Sequence, residues 1–164
     1  VKETSDNDLP LVSMISIFYN RAYCVAESVQ SMVDQNYPNL EIILVDDGST
    51  DNTLEELNKF KSSRVKIISH TNRGFTRSIR ETIGSAAHGE YIAIHGSGDY
   101  SFPERVARQV AHLRENDAVA ACGVSREILD EQTGRVKTKR LDVKIKKGEL
   151  KALENHVLSR RGGF

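Results

Sequence analysis

Apolar positions along this chain follow two rhythms that take turns. Residues 11–18 are apolar except for Ser13 and Ser16, and residues 40–45 are apolar except for Glu41. Short apolar runs of this kind, rich in Ile and Val, predict strands buried on both faces. Between them Val25, Val29, Met32 and Val33 recur at helical spacing, so a helix is expected over about residues 23–35. Asn36-Tyr37-Pro38-Asn39 breaks it. The alternation then repeats. A helix is expected over about 53–60, with Leu54, Leu57 and Phe60 on one side, and a strand over 65–69. Another helix follows over about 75–87, turning Ile79, Ile83 and Ala87 inward, then a strand over 90–95. Pro103 suits the first turn of a helix running to about Glu115, and residues 118–124 read as a fifth strand. Such alternation predicts an α/β fold: a mostly parallel sheet with helices on both faces, three layers α/β/α.

Past Ser125 the pattern loosens. Residues 127–129 and 136–141, joined through Glu131-Gln132-Thr133-Gly134, suit a hairpin, and 147–158 suit a helix. Gly162-Gly163-Phe164 then closes no element, so the sequence reads as stopped in mid-fold.

Composition narrows the class. A chain of 164 residues is long enough for one real core and too short for two comfortable domains. With 23 basic and 23 acidic residues the formal net charge is zero, and no global field favours nucleic acid. Basic residues do gather late, at Arg135, Lys137, Lys139, Arg140, Lys144, Lys146, Lys147 and Lys151. They are read first as a solvated tail and second as a surface for a membrane or phosphate. Cys24 and Cys122 match no metal-ligand spacing and are expected to be free thiols of a cytoplasmic protein. No apolar run reaches the roughly 18 residues of a spanning helix, and the polar leader, residues 1–10, does not read as a signal peptide.

The candidate chemistry lies where strands end. The second strand stops at Asp46-Asp47-Gly48, with Ser49, Thr50 or Asp51 available to cap the next helix. Carboxylates at the carboxyl end of a parallel strand stand where open α/β sheets bind ligands, although two acids also serve as plain punctuation of a strand–turn–helix junction. The fourth strand ends in Gly96-Ser97-Gly98-Asp99. Its likeness to a dinucleotide fingerprint fails on the missing third glycine and on its place after the fourth strand. The sequence has no Walker-type phosphate loop and no Gly-x-Ser-x-Gly elbow.

Four segments in order carry a resemblance: residues 11–20 ending in Tyr19-Asn20, the turn Val45-Asp46-Asp47-Gly48-Ser49-Thr50-Asp51, Asn72-Arg73-Gly74, and Asp99 with Pro103-Glu104-Arg105. Over about residues 11–125 the chain resembles the nucleotide-sugar-binding half of an inverting glycosyltransferase of family 2, with the Rossmann-like GT-A fold of nucleotide-diphospho-sugar transferases. Residues 126–164 would begin the acceptor-side region. The resemblance implies transfer from a nucleoside diphosphate sugar, a UDP-sugar above all, to a glycan or lipid-linked acceptor, with peripheral association at the cytoplasmic face of a membrane. It implies that Ile17, Phe18, Tyr19 and Asn20 pack on base and ribose, Ile17 through its main chain. Asp47, beside Asp46, would accept a hydrogen bond from the uracil N–H, a charge-assisted bond that orients the ring. Asn72 and Gly74 would lie close to the nucleotide.

Two departures follow from the same resemblance. Where the family has Ala-Arg-Asn this sequence has Ser78-Ile79-Arg80, leaving Arg73, Arg77 or Arg80 to replace the arginine contact. The family's Asp-x-Asp, whose carboxylates hold a divalent cation on the diphosphate, corresponds to Gly96, Ser97 and Gly98, and only Asp99 keeps its acid. Three alternatives stay open: Mn²⁺ or Mg²⁺ held by Asp99, with or without His95; a diphosphate held by Ser97 and Gly98 through backbone N–H groups and the next helix, without metal; or a domain that has lost transfer and serves as a nucleotide-binding or interaction module. Inversion also needs a carboxylate base. Glu127, Asp130, Glu131, Asp142, Glu149 and Glu154 are available, none in a motif, and no base is assigned.

Overall fold

The computed structural model describes residues 9–115, 119–122, 126–130, 133–139, 144–146 and 158–160. Four parallel strands form its centre: β1 (Val12–Phe18), β2 (Leu40–Asp46), β3 (Val65–Ser69) and β4 (Tyr91–Ile94). They are linked by α1 (Ala22–Val33), α2 (Thr53–Asn58) and α3 (Phe75–Ser85), and α4 (Arg105–Glu115) follows β4. The apolar runs became strands because both faces of the sheet are covered. On one face Val12, Met14 and Phe18 of β1 pack with Val25, Val29 and Met32 of α1, Leu57 of α2, and Val106 and Val110 of α4. On the other, Ile15, Ile17, Ile43 and Val45 pack with Ile79 of α3 and with Ala86 and Ala87.

The strand order is β3-β2-β1-β4 and then β9-β5-β8, with β5 (Val119–Cys122), β8 (Lys144–Lys146) and β9 (Leu158–Arg160). The fifth strand is therefore not a further parallel neighbour of β4. β9 lies between them, antiparallel to both, and β8 pairs antiparallel with β5. Sequence reading missed β8 and β9 because three-residue strands carry no periodicity and their pairing is non-local. The expected hairpin is present as β6 (Arg126–Asp130) and β7 (Arg135–Lys139), a separate two-stranded sheet that exposes Ile128 and Val136. The polar leader through Asp8 and residues 147–157 of the expected late helix lie outside the described residues.

Two helix starts differ from expectation. None of Ser49, Thr50 and Asp51 is the N-cap of α2; Asn52 is, without a side-chain cap bond. Asp51 instead accepts from the Thr53 N–H at 3.0 Å and from the Ala22 N–H at 3.2 Å, tying the start of α2 to the start of α1. Pro103 lies in the turn before α4, not in its first helical turn. Among the described residues no helix is long and apolar enough to cross a membrane.

Candidate functional site

Because β1 to β4 are parallel, their carboxyl ends share one edge. Chain order runs outward from β1 through β2 to β3 and then returns to place β4 on the other side of β1. The chain therefore reverses its direction of winding between β1 and β4, and the crevice outside the strand ends at such a reversal is where open α/β sheets take ligands. Three loops surround it: residues 19–21 after β1, 47–52 after β2 and 95–100 after β4, with 70–74 after β3 beyond.

The loops after β1 and β2 are clasped together. Asn20 has φ 50, a left-handed conformation that suits Asn better than most side chains. Its Oδ1 accepts from the Thr50 N–H at 2.8 Å, and its own N–H donates to Ser49 Oγ at 3.0 Å. The Arg21 N–H donates to Thr53 Oγ1 at 2.8 Å. Gly48 has φ 76, and a Cβ there would lie 2.5 Å from the Asn72 backbone nitrogen, so close approach of two backbones requires glycine.

Asp46 and Asp47 are each 2% exposed. Asp46 accepts from the Ser49 N–H at 3.2 Å and from Ser69 Oγ at 3.0 Å. Asp47 binds the loop after β3: Oδ1 accepts from the Arg73 N–H at 2.9 Å and Ser78 Oγ at 2.7 Å, and Oδ2 from the Gly74 N–H at 2.9 Å. His70 Nδ1 lies 3.3 Å from Oδ1. Ser78, which replaces the alanine of the family pattern, is thus part of this carboxylate cage. Ile79, at the position of the family's arginine, is buried in the core beneath α3. Arg73 and Arg77 both pair with Glu81 on the solvent face of α3.

The loop after β4 is held differently, by a polar stripe along α1 and by Gln35 just past the end of that helix. Cys24, Ser28, Ser31 and Gln35 recur at helical spacing and face residues 96–106. Gly98, with φ 92, donates its N–H to Ser28 Oγ at 3.1 Å, and a Cβ on it would meet Cys24 Sγ at 3.2 Å. The Ser101 N–H donates to Ser31 Oγ at 3.1 Å. Gln35 donates to the Phe102 carbonyl at 2.9 Å and accepts from the Val106 N–H at 3.1 Å. Beneath the turn, His95 is fully buried. Its Nδ1 faces Ser101 Oγ at 3.0 Å and Arg105 Nη1 at 3.4 Å, while Nε2 lies 3.0 Å from the Asp99 carbonyl and 3.2 Å from Ser28 Oγ. A guanidinium only donates, so Nδ1 takes the lone pair and the Nε2 proton goes to the Asp99 carbonyl. Arg105 also bonds Ser101 Oγ at 2.9 Å and the Ile94 carbonyl at 2.9 Å. Burial pushes Arg105 down to about 10, against the opposing charge of Asp99. It stays a cation at neutral pH.

Several sequence expectations change on this geometry. Phe18 is buried in one core, so its side chain cannot pack on a ligand, while Ile17, buried in the core of the opposite face, has only its main chain to offer. The Phe18 carbonyl is spent on the Asp47 N–H at 2.8 Å. Tyr19, Asn20, Asn72, Gly74 and Gly98 are exposed around the edge, and Ser97 and Asp99 are half-buried. Gly98 directs its N–H at α1, away from any diphosphate in the crevice. His95 cannot join Asp99 as a cation ligand, because both ring nitrogens are engaged internally. Gly96 and Gly98 bring no ligating side chain, and among the described residues no group of three or more His, Cys, Asp or Glu could hold a metal. The residues present do not fit an Asp-x-Asp cation site. Of the acids available as a base, Glu127 and Asp130 are exposed on the hairpin, and Glu131, Asp142, Glu149 and Glu154 lie outside the described residues.

Solved structures share this architecture. A mannosyltransferase of Pyrobaculum calidifontis, in complex with GDP-Man and Mn²⁺, superposes with a TM-score of 0.66 over 73% of this chain and 36% of its own, at 24% identity. TarS 1–349 of S. aureus in complex with UDP gives 0.63 over 70% and 35%, at 27% identity. The fold is that of the GT-A glycosyltransferases. Residues 13–163 match the family described as Glycosyl transferase family 2, and the chain belongs to it. A glycosyltransferase of Haemophilus influenzae is 39% identical over 126 residues, 75% of this chain and 39% of that protein. The Escherichia coli WfaP, a UDP-Glc:alpha-D-GlcNAc-diphosphoundecaprenol beta-1,3-glucosyltransferase, is 35% identical over 111 residues, 68% of this chain and 44% of its own. The chain spans less than half the length of these relatives.

Proposed function

We propose that this chain is the donor-binding part of a glycosyltransferase that moves a sugar from a UDP-sugar to a glycan or lipid-linked acceptor, with inversion at the anomeric carbon. The observation that carries the reading is the reversal of strand order between β1 and β4: at that edge, a nucleotide meets Tyr19 and Asn20 on one side and Ser97 to Asp99 on the other. Exposed Tyr19 offers an aromatic face for the base, and the Asn72 and Gly74 loop, held by Asp47, forms the far wall. Asp47 already accepts from three donors, so its first task is to set that wall; Oδ2, with one bond, keeps acceptor capacity for a uracil N–H. The acceptor class is supported by relatives such as WfaP, whose acceptor is diphosphoundecaprenol-linked. Work on such an acceptor would bring the protein to a membrane surface, on its cytoplasmic side.

The second reading, a module that has lost transfer, draws on Gly96 and Gly98 standing where the family carries acids. The first test is a thermal-shift titration with UDP, UMP, GDP and ADP on wild type and Tyr19→Ala. UDP is expected to stabilise the chain most, and Tyr19→Ala to weaken UDP about tenfold by loss of stacking, with an unchanged melting temperature without ligand. Equal responses to all four nucleotides, or none, would count against the donor site. UDP binding with no UDP-sugar hydrolysis or transfer in the full-length enzyme would favour the module.

A further inference from the structure

Only three residues, 19–21, join β1 to α1, and Tyr19 is the first of them. Its backbone is pinned on both sides by the loop after β2. The Phe18 carbonyl before it accepts from the Asp47 N–H at 2.8 Å, and the Asn20 N–H after it donates to Ser49 Oγ at 3.0 Å. The Arg21 N–H then donates to Thr53 Oγ1 at 2.8 Å and the Ala22 N–H to Asp51 Oδ2 at 3.2 Å. Three consecutive amides at the entry to α1 thus end on side-chain oxygens of residues 49–53.

One set of bonds runs the other way. Asn20 Oδ1 accepts from the Thr50 N–H at 2.8 Å and from Thr50 Oγ1 at 3.3 Å. Among the described residues Asn20 is the only one besides glycines to take a positive φ, 50. That conformation is costly for an L side chain and asks for support, which the locked amide oxygen supplies. Turn and latch are therefore a single device, and Tyr19, 48% exposed, stands directly before it. A ring carried on a backbone fixed at both neighbours is partly ordered before any ligand arrives, so binding costs it less freedom. We infer that Asn20 is a positioning residue of the donor site: its side-chain oxygen, locked on Thr50, holds the left-handed turn that presents Tyr19 to the nucleotide base. Asn20 then contributes to affinity through Tyr19, not through a contact of its own amide. The inference rests on the donor-site reading above.

A double-mutant cycle on calorimetric Kd values tests it, with UDP as the probe for wild type, Tyr19→Ala, Asn20→Ala and the double variant. UDP is expected to bind about tenfold more weakly to Tyr19→Ala and about fivefold more weakly to Asn20→Ala. The double variant is expected to match Tyr19→Ala within about twofold, because without the ring there is nothing left to position. Losses that multiply to about fiftyfold would overturn the inference, since Asn20 would then act on the ligand independently of the ring. Wild-type affinity in Asn20→Ala, or in Tyr19→Ala, would overturn it as well. Asn20→Asp keeps an oxygen for Thr50 and tolerates the left-handed turn, so it is expected to hold uridine within about twofold of wild type. Uridine lacks the phosphates that an added carboxylate would repel. A loss as large as alanine's would mean that the amide N–H₂ meets the ligand, and the inference would fall. Should Asn20→Ala fail to fold, Ser49→Ala opens the same latch from the opposite loop and runs the same cycle. Its expected loss is about threefold; no loss, or one that multiplies with that of Tyr19→Ala, overturns the inference. No binding of UDP by wild type would sink the donor-site reading and the inference with it. Wild-type binding with a multiplicative cycle would remove the inference alone.

Discussion

Two loops on the same edge of the sheet end in carboxylates and are organised by opposite means. After β2, Asp47 is the hub: a buried anion collects two backbone N–H groups and a hydroxyl from the loop after β3. After β4, Asp99 lies at the rim, and the loop is held by neutral side chains of α1 and by the buried cation Arg105. The first arrangement concentrates its energy in one group whose loss strands several donors. The second spreads it over many bonds, buried ones from Ser31, Gln35 and Arg105 and one to the exposed Gly98 that water can replace in part. One wall of the crevice is therefore expected to be brittle and the other tolerant, and substitutions can be ranked on that difference.

The largest effect is expected at Gly48. Alanine there must adopt φ 76 and place a Cβ 2.5 Å from the Asn72 backbone, which cannot rotate away. Strain and overpacking together predict a loss of about 3–5 kcal/mol in urea unfolding followed by circular dichroism. Next comes Asp47→Asn, which keeps the volume and turns an amide toward N–H donors. With buried donors left unsatisfied the expected loss is about 2–3 kcal/mol. A loss under about 0.5 kcal/mol would mean that the cage is not the hub of this wall.

Gly98→Ala sharpens the contrast, since it too needs a positive φ but meets only a thiol. The expected cost is about 1–2 kcal/mol. Combining it with Cys24→Ala should recover the steric share and leave the backbone share, a coupling that Gly48 cannot show. Equal losses for the single and double variants would place all the cost in the backbone.

The same contrast explains what the sequence made legible. The four parallel strands and their helices stand out because burial on both faces demands unbroken apolar runs and a 3.6-residue stripe, which few other arrangements produce. The Asp46-Asp47-Gly48 turn was visible as a site, but the partners of Asp47 are mostly backbone N–H groups, which leave no mark on residue type. Ser78 left one, as an unexplained departure from the family pattern. The α1 stripe of Cys24, Ser28 and Ser31, continued by Gln35 just past the helix, has helical spacing and could have been found, but small polar residues on a helix ordinarily mean a solvated face. His95 reads only as a strand end and Arg105 only as part of the Pro103-Glu104-Arg105 segment, because their contacts depend on a loop path that periodicity does not encode. Phe18 misled for a related reason: the motif marks the backbone that approaches a ligand, while its side chain belongs to the core.

The smallest predicted effect tests the tolerant wall most directly. Ser28→Ala removes the acceptor of the Gly98 N–H and one neighbour of His95 Nε2. His95 keeps the Asp99 carbonyl at 3.0 Å, and Gly98 is exposed, so water can take up the freed N–H. The expected loss of global stability is therefore only about 1 kcal/mol. Local opening should respond more than global unfolding, because the bond lost is the one that fastens the turn to α1. Amide hydrogen exchange resolves the two: in wild type the Gly98 amide is expected to be protected, and in Ser28→Ala it should exchange about fivefold faster or more while Arg73 and Gly74, held by Asp47, do not change. A Gly98 amide that exchanges at the same rate in both proteins would mean that the turn is fastened from elsewhere. Faster exchange at Arg73 and Gly74 as well would mean that the two walls move as one, and the division between a brittle side and a tolerant one would have to be given up.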